Sequence, residues 1–269
     1  ADGVLPICLN QSTRIIQFLS SLQKTYRATL ELGSETDTQD ATGQKISTND
    51  PSLINEAKIK QVFQTFVGEQ DQIPPMYSAK KKNGIPLYKL ARNGINIRRD
   101  PVKVVVYSID FIKKEGNRVL FEVRCSSGTY IRTLSHDVGK KLGCYAHMVR
   151  LTRTKVGLFG LGRTLTLEEL KTSHEEGSLP KKLFPLEEVL SFLPAIRVKE
   201  KYLKPISHGM ALSKCFLETL PDRFEPGHYF RVFGSDNKIL AVVEPVIDQS
   251  KISELTPGDI VFKTKRVLR

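Results

Sequence analysis

The sequence predicts an α+β protein in two parts: residues 1–190 around a large, mainly antiparallel mixed sheet, and a small β-rich module over 194–269. Three observations carry this reading. Two runs of β-formers, Val102–Ile112 and Arg118–Cys125, are separated only by Lys-Lys-Glu-Gly-Asn, which pairs them as an antiparallel hairpin. The second run breaks at Ser126-Ser127-Gly128, after which Ile131, Leu134, Val138 and Leu142 recur at helical steps, so a strand feeds a helix through a tight turn. Beyond Pro194 the chain turns to short apolar runs, such as Ile196–Val198, Tyr229–Phe233, Ile239–Glu244 and Ile260–Lys265, with Gly, Pro or Asn between them.

From the start of the chain, Ala1–Leu9 leads into a helix capped by Ser12 or Thr13, with Ile15, Ile16, Leu19 and Leu22 on its apolar face. Lys24–Gly33 alternates as a half-buried strand that puts Tyr26, Ala28 and Leu30 on one side. Thr36–Gly43 is a polar, turn-rich loop, and Ile54–Phe66 is a helix closed by Gly68. Gln72–Lys80 must run extended, because Pro74 and Pro75 forbid helix. In the helix after Gly128, Ser126 or Ser127 can cap the first turn, which holds Arg132, and Gly143 ends the last. Cys144–Leu151 returns the chain, Val156, Leu158 and Leu161 suggest another strand, charged residues fill Lys171–Lys182, and Pro185–Leu193 forms a last short helix.

The formal net charge of +12 makes a polyanion the natural partner. That charge is concentrated: Lys80–Lys103 holds eight basic residues against Asp100 alone, with Tyr88 interleaved, and such density repels itself unless an anion is present. Arg132, in a helical first turn with unpaired N–H groups, offers a fixed fork of donors to a carboxylate or phosphate, or else joins a surface ion pair. Four cysteines stand far apart with no C-x-x-C pair, and five histidines show no ligand spacing, so neither zinc nor disulfides are implied. Reduced thiols fit a cytoplasmic protein. No apolar run is long enough to span a membrane, and no phosphate-binding or dinucleotide-binding glycine pattern occurs, which points to chemistry without a cofactor.

Cys125-Ser-Ser-Gly-Thr-Tyr-Ile-Arg-Thr-Leu134, followed after a helix by Leu142-Gly-Cys-Tyr-Ala-His-Met-Val-Arg-Leu-Thr-Arg153, resembles the signature of the TruB family. These are bacterial tRNA pseudouridine synthases that modify the T-loop uridine at position 55. Ala1-Asp-Gly-Val-Leu-Pro6, Thr36–Gly43 and Gln72–Lys80 match the family in the same order. The resemblance implies that residues 1–190 are the catalytic domain, that about 73–103 is an insertion closing over the tRNA arm, and that 194–269 is a PUA-like RNA-binding domain. It makes Tyr26 the aromatic that stacks on the target base, and Tyr130 and Leu151 the rest of the base's slot. Arg132 would pair with the nucleophilic aspartate. Lys80, Lys81, Lys82, Arg98, Arg99 and Arg153 would meet phosphates, as would Arg150. In the family the nucleophile lies in a Gly-Thr-Leu-Asp-Pro loop directly ahead of the Ala-x-Gly-Val-Leu-Pro run, so it is expected upstream of Ala1; Asp2 occupies the variable position and is not assigned that role.

Asp40 reads either as a contact to a flipped nucleotide or as the anchor of its own loop through Asx-type bonds. Tyr26 is one candidate for the base that removes the C5 proton, although an ordinary phenol near pKa 10 is a poor base at neutral pH. Alternative activities are a non-catalytic RNA-binding or RNA-folding protein on the same scaffold, and a guide-dependent synthase; the intact basic insertion favours a stand-alone monomer without guide RNA. Neutralising Lys80, Lys81, Lys82, Arg98 and Arg99 together is expected to weaken binding to all tRNAs alike and to flatten the slope of log K against log salt, since phosphate contacts act through counterion release. A filter-binding titration at several salt concentrations reads that slope, and an unchanged slope would make these residues merely solvated.

Overall fold

The computed structural model describes residues 2–219, 221, 223–234 and 237–268. Two units emerge: one gathers the residues up to Pro6 with Leu19–Thr164, the other Ile7–Phe18 with the chain from Leu165 onward. In chain order, the elements up to Thr164 are β1 (Asp2–Gly3), α1 (Ile16–Ser20), β2 (Lys24–Leu32), β3 (Ser34–Thr36), β4 (Lys45–Thr48), α2 (Glu56–Gln64) and β5 (Gly68–Gln72). There follow a small hairpin, β6 (Lys81–Lys82) and β7 (Ile85–Pro86), then α3 (Leu87–Arg92), β8 (Val102–Glu115), β9 (Arg118–Cys125), α4 (Ile131–Leu142), β10 (Ala146–Val156) and β11 (Phe159–Gly160).

Period-two burial sets the sheet. In β2, Ala28, Leu30 and Leu32 are buried while Arg27 is exposed, and in β9, Val119, Phe121, Val123 and Cys125 are buried while Arg124 is exposed. One seven-stranded sheet results, in the order β1-β10-β2-β9-β8-β5 with β11 on β10, and only the β1–β10 pair is parallel. The large, mainly antiparallel sheet is thus as expected. Its apolar face packs against α2 through Ile59, Val62 and Phe63, and against α4 through Ile131, Leu134, Val138 and Leu142. Phe63 and Phe121 meet with ring centroids 5.3 Å apart, a tilted pair that adds about 1 kcal/mol beyond the area it buries.

Several local expectations are corrected. Neither Ser12 nor Thr13 caps the first helix: Asn10, at a left-handed φ of 50°, turns the chain into a 3-10 segment, Asn10–Ile15, the Thr13 hydroxyl donates to the Asn10 carbonyl, and Ile16 is exposed. Tyr130, not Ser126 or Ser127, is the N-cap residue of α4, with no side-chain cap; the Ser126 hydroxyl instead accepts the Val105 amide at 2.9 Å and fastens the turn to β8. The hairpin strand β8 continues through Lys113–Glu115 to a turn at Gly116-Asn117. β5 and the helix α3 were not expected. The polar run Gly-Glu-Gln-Asp-Gln carries no strand signal because β5 is an edge strand that buries only Gln72.

The second unit adds α5 (Leu167–Glu175), α6 (Leu186–Val189), β12 (Ala195–Arg197), α7 (Leu203–Ser207), β13 (Leu212–Ser213), β14 (Phe230–Phe233), β15 (Ile239–Pro245) and β16 (Ile260–Val267). The five strands form a sheet in the order β12-β14-β15-β16-β13, in agreement with the short strands read from the sequence. Ile239–Val243 is buried throughout, and Phe224, Phe230 and Phe262 pack together in this unit's own core. Within Lys171–Lys182, expected to be irregular, the first residues belong to α5, which Thr166 and Glu169 begin with a reciprocal capping box.

Gly139 lets α4 approach β10 closely: a Cβ there would overlap the amide nitrogen and the Cβ of Ala146. Gly143, at φ 80°, then turns the chain into β10. Gly139→Ala is expected to destabilise the protein by about 1–3 kcal/mol through overpacking, read as a lower urea midpoint with an unchanged m-value.

Candidate active site

Two strands and one helix start build the site. β10 pairs with β2 so that Leu151 lies opposite Ala28 and Arg153 opposite Tyr26. Simple alternation from Met148, whose partner Leu30 is in the core, would put Leu151 on the other face; a bulge at Val149 inverts the phase, and a second at Thr154 restores it before the buried Val156. Leu151 and Tyr26 therefore share the face that packs on the α2/α4 core, and each is half-buried. Asp2 pairs with Thr152, which lies opposite Arg27 on the other face, and the Asp2 carboxylate takes a hydrogen bond from Thr152.

The first turn of α4 is fixed from three directions. Buried Gln72 clamps the Tyr130 peptide with both ends of its amide: Oε1 accepts the Tyr130 N–H at 2.7 Å and Nε2 donates to the Tyr130 carbonyl at 3.0 Å. Two residues on, Arg132 Nη1 lies 3.1 Å from Asp40 Oδ2 and Nη2 donates to the Tyr77 carbonyl. The guanidinium and the Asp40 carboxylate are 22% and 19% exposed, so this is a largely desolvated pair, unlike the surface ion pairs elsewhere in the chain. Asp40 also holds its own loop: Oδ1 accepts from the Thr38 and Thr42 hydroxyls and from the Thr42 amide at 3.0 Å. The loop is stitched to β10 on both sides of Asp40, with Met148 N–H donating to the Gln39 carbonyl at 3.0 Å and Ala41 N–H to the Met148 carbonyl at 2.9 Å.

Electrostatics divides these groups. Burial works to raise the Asp40 pKa, but the hydrogen bonds from Thr42 and Thr38 and the charge of Arg132 outweigh it and hold the carboxyl below the usual range. The Tyr26 phenol is pushed up, chiefly by burial and further by Cys125, with a hydrogen bond and positive charge from Arg153 opposing. A raised phenol is ionised to an even smaller extent at neutral pH, which counts against Tyr26 as the base. Arg153 is itself engaged, its Nε donating to the Val4 carbonyl at 2.6 Å.

The basic residues of 80–99 separate into two groups. Lys80, Lys81 and Arg98 are exposed. Lys82 Nζ donates to the Arg98 carbonyl at 2.7 Å, and the half-buried Arg99 donates to the Pro74 carbonyl at 3.1 Å, so Arg99 braces the extended Gln72–Lys80 segment. The reading of Asp40 as the anchor of its own loop holds, but sequence reasoning left Gln72 and the Tyr77 carbonyl out of the site and did not pair Asp40 with Arg132. The partners of Arg132 lie 92 and 55 residues away, a distance no local pattern encodes.

Comparisons with known proteins point to one family. The profile of the TruB family pseudouridylate synthase (N terminal domain) matches residues 1–131, and that of the tRNA pseudouridylate synthase B C-terminal domain matches residues 132–191. Proteins named tRNA pseudouridine synthase B align at 42% identity over 78% of this chain and 68% of the protein from Syntrophotalea carbinolica, and at 38% over 96% of this chain and 85% of the protein from Staphylococcus aureus. The chain belongs to the TruB family. The TruB fold also has solved counterparts: a chain of a Cbf5-Nop10-Gar1 complex is similar with a TM-score of 0.78 at 27% identity, covering 99% of this chain and 73% of that one. A chain of an H/ACA RNP bound to a substrate RNA containing 2′-deoxyuridine gives a TM-score of 0.74 at 25% identity, covering 99% and 72%. No helix among the described residues is long and apolar enough to cross a membrane.

A carboxyl whose pKa is depressed by folding adds stability that is fully present above the unfolded value, about 3.9, and is lost as pH falls through the folded value. Asp40→Asn is therefore expected to lower the melting temperature near neutral pH, with the gap to the unsubstituted protein closing below about pH 4. Thermal melts of both proteins across this range check the sign.

Proposed function

We propose that this TruB-family enzyme converts uridine 55 in the T-loop of tRNA to pseudouridine, acting as a cytoplasmic monomer without guide RNA or cofactor. The observation that supports it best is a largely desolvated Arg132, held by Asp40 and the Tyr77 carbonyl, on the side of the sheet that carries the half-buried Tyr26 and Leu151. Its relatives are named as synthases, and the non-catalytic alternative has no support among them.

The reaction is an isomerisation. The uridine is flipped out of its stack, the N1–C1′ bond breaks, the base turns, C5 bonds to C1′, and the proton on C5 is released while N1 gains one. Flipping costs a few kcal/mol of unstacking, which a flat protein surface offsets, and Tyr26 supplies it with Tyr130 and Leu151 completing the slot. Arg132 spends two of its donors on Asp40 and the Tyr77 carbonyl, and its remaining N–H groups are available to a second carboxylate. The family's nucleophilic aspartate immediately precedes the run that forms β1, and β1 enters the sheet beside Thr152, next to Leu151. Arg132 would keep such a carboxylate ionised and aimed. Exposed Lys80, Lys81 and Arg98 bind phosphates of the T-arm within the 73–103 insertion, with the catalytic domain spanning 1–190 and the PUA-like RNA-binding domain 194–269.

Arg132→Lys keeps the charge and loses the planar fork. It is expected to slow single-turnover conversion about 100-fold or more while leaving tRNA affinity within about threefold, the signature of a group acting in the transition state. Quench-flow conversion assays and filter binding separate the two, and a variant retaining most of its rate would make Arg132 a purely structural residue.

A further inference from the structure

We propose that His136 is a positioning residue for this reaction, and that its charge sets how firmly Arg132 is held against the Asp40 loop. This rests on the activity proposed above. α4 presents Arg132, His136 and Lys140 at four-residue steps, a single stripe along the helix. The segment facing this stripe is β3 and its turn, which carry Glu35, Gln39 and Asp40. Contacts run its length: Arg132 Nη1 to Asp40 Oδ2 at 3.1 Å, the Thr133 hydroxyl donating to Gln39 Oε1 at 2.8 Å, His136 Nε2 to Glu35 Oε2 at 2.9 Å, and Lys140 Nζ to the same oxygen at 3.9 Å. One helix thus clasps the whole Asp40 loop, and the His136–Glu35 contact is the far end of that clasp.

Glu35 is only 7% exposed, and a carboxylate so desolvated needs a counter-charge. Its Oε2 lies close to His136 yet has no aligned hydrogen bond, so their attraction is Coulombic and depends on the imidazole being charged. Lys140 is a poor substitute, being more distant and half-exposed. The other ring nitrogen, Nδ1, is 3.1 Å from Asp137 Oδ1, so both nitrogens meet carboxylates. An imidazolium presents an N–H to each carboxylate; a neutral ring turns a lone pair on one of them. The remaining charged groups nearby are Arg132, one turn earlier on α4, and Asp40 across from it, while His147 of β10 engages the Ser34 carbonyl at 3.0 Å. Loss of the ring's charge leaves Glu35 buried without its counter-charge and loosens β3, and with it the carboxylate that holds Arg132.

The test uses the full chain with labelled arginine and histidine side chains. The Arg132 Nε–Hε resonance is expected to shift with the same midpoint as the His136 ring, and single-turnover conversion of a tRNA transcript to fall on the order of tenfold as pH rises through that midpoint, with tRNA affinity unchanged. Glu35→Gln and His136→Gln should remove this step from both readouts, whereas His136→Arg, with a fixed charge, should keep the faster rate across the range. An Arg132 resonance indifferent to the His136 midpoint, or a step that persists in Glu35→Gln, overturns the proposal. The co-titration is read in the unsubstituted protein and so survives a variant that does not fold. If the resonances move together but no pseudouridine forms at any pH, the positioning role stands and the assigned activity fails.

Discussion

The Arg132–Asp40 pair is the interaction on which the site depends. A guanidinium and a carboxylate that are both mostly removed from water give back much of their mutual attraction as desolvation, so the pair adds little net stability. Removing one partner is another matter: the charge left behind would cost on the order of 3 kcal/mol. The pair is therefore better understood as a constraint. It forces the 36–43 loop, the first turn of α4 and, through the Tyr77 carbonyl, the extended segment after β5 to one place.

Around this pair several of the braces end on backbone groups. Gln72 reads no side chain in Tyr130, only its peptide, and the Asp40 loop is joined to β10 through main-chain groups of Gln39, Ala41 and Met148. Such bonds are indifferent to side-chain identity at the positions they join. The placement of the arginine is thus insulated from changes in the apolar residues that line the slot, while Arg132, Asp40 and Gln72 have no such freedom.

Much of the fold was legible because burial follows period. The alternation in β2, the β8–β9 hairpin and the helical spacing up to Gly143 each announce themselves, since one face of each element must meet the same core. The misses have physical reasons. β5 is an edge strand made of polar residues, its only signal being main-chain pairing with β8. The α5 start was written in Thr166 and Glu169, but the charges that follow them read as loop. In the site, Tyr26 and Arg132 follow from local pattern and family resemblance, whereas the partners of Arg132 and the inverted phase of Leu151 depend on tertiary contacts and on bulges that alternation cannot reveal.

Those bulges give β10 slack. At Val149 and at Thr154 the strand carries one residue more than β2 does, like a pair of compensating frameshifts in a code with a period of two. The chain can shed a residue at either point and still show Leu151 and Arg153 to the face of Tyr26. A residue lost between them, such as Thr152, has no such refuge and turns Arg153 to the far side of the sheet. Length variation along this strand is thus confined to two points, and the short stretch they bracket is fixed in number as well as in kind.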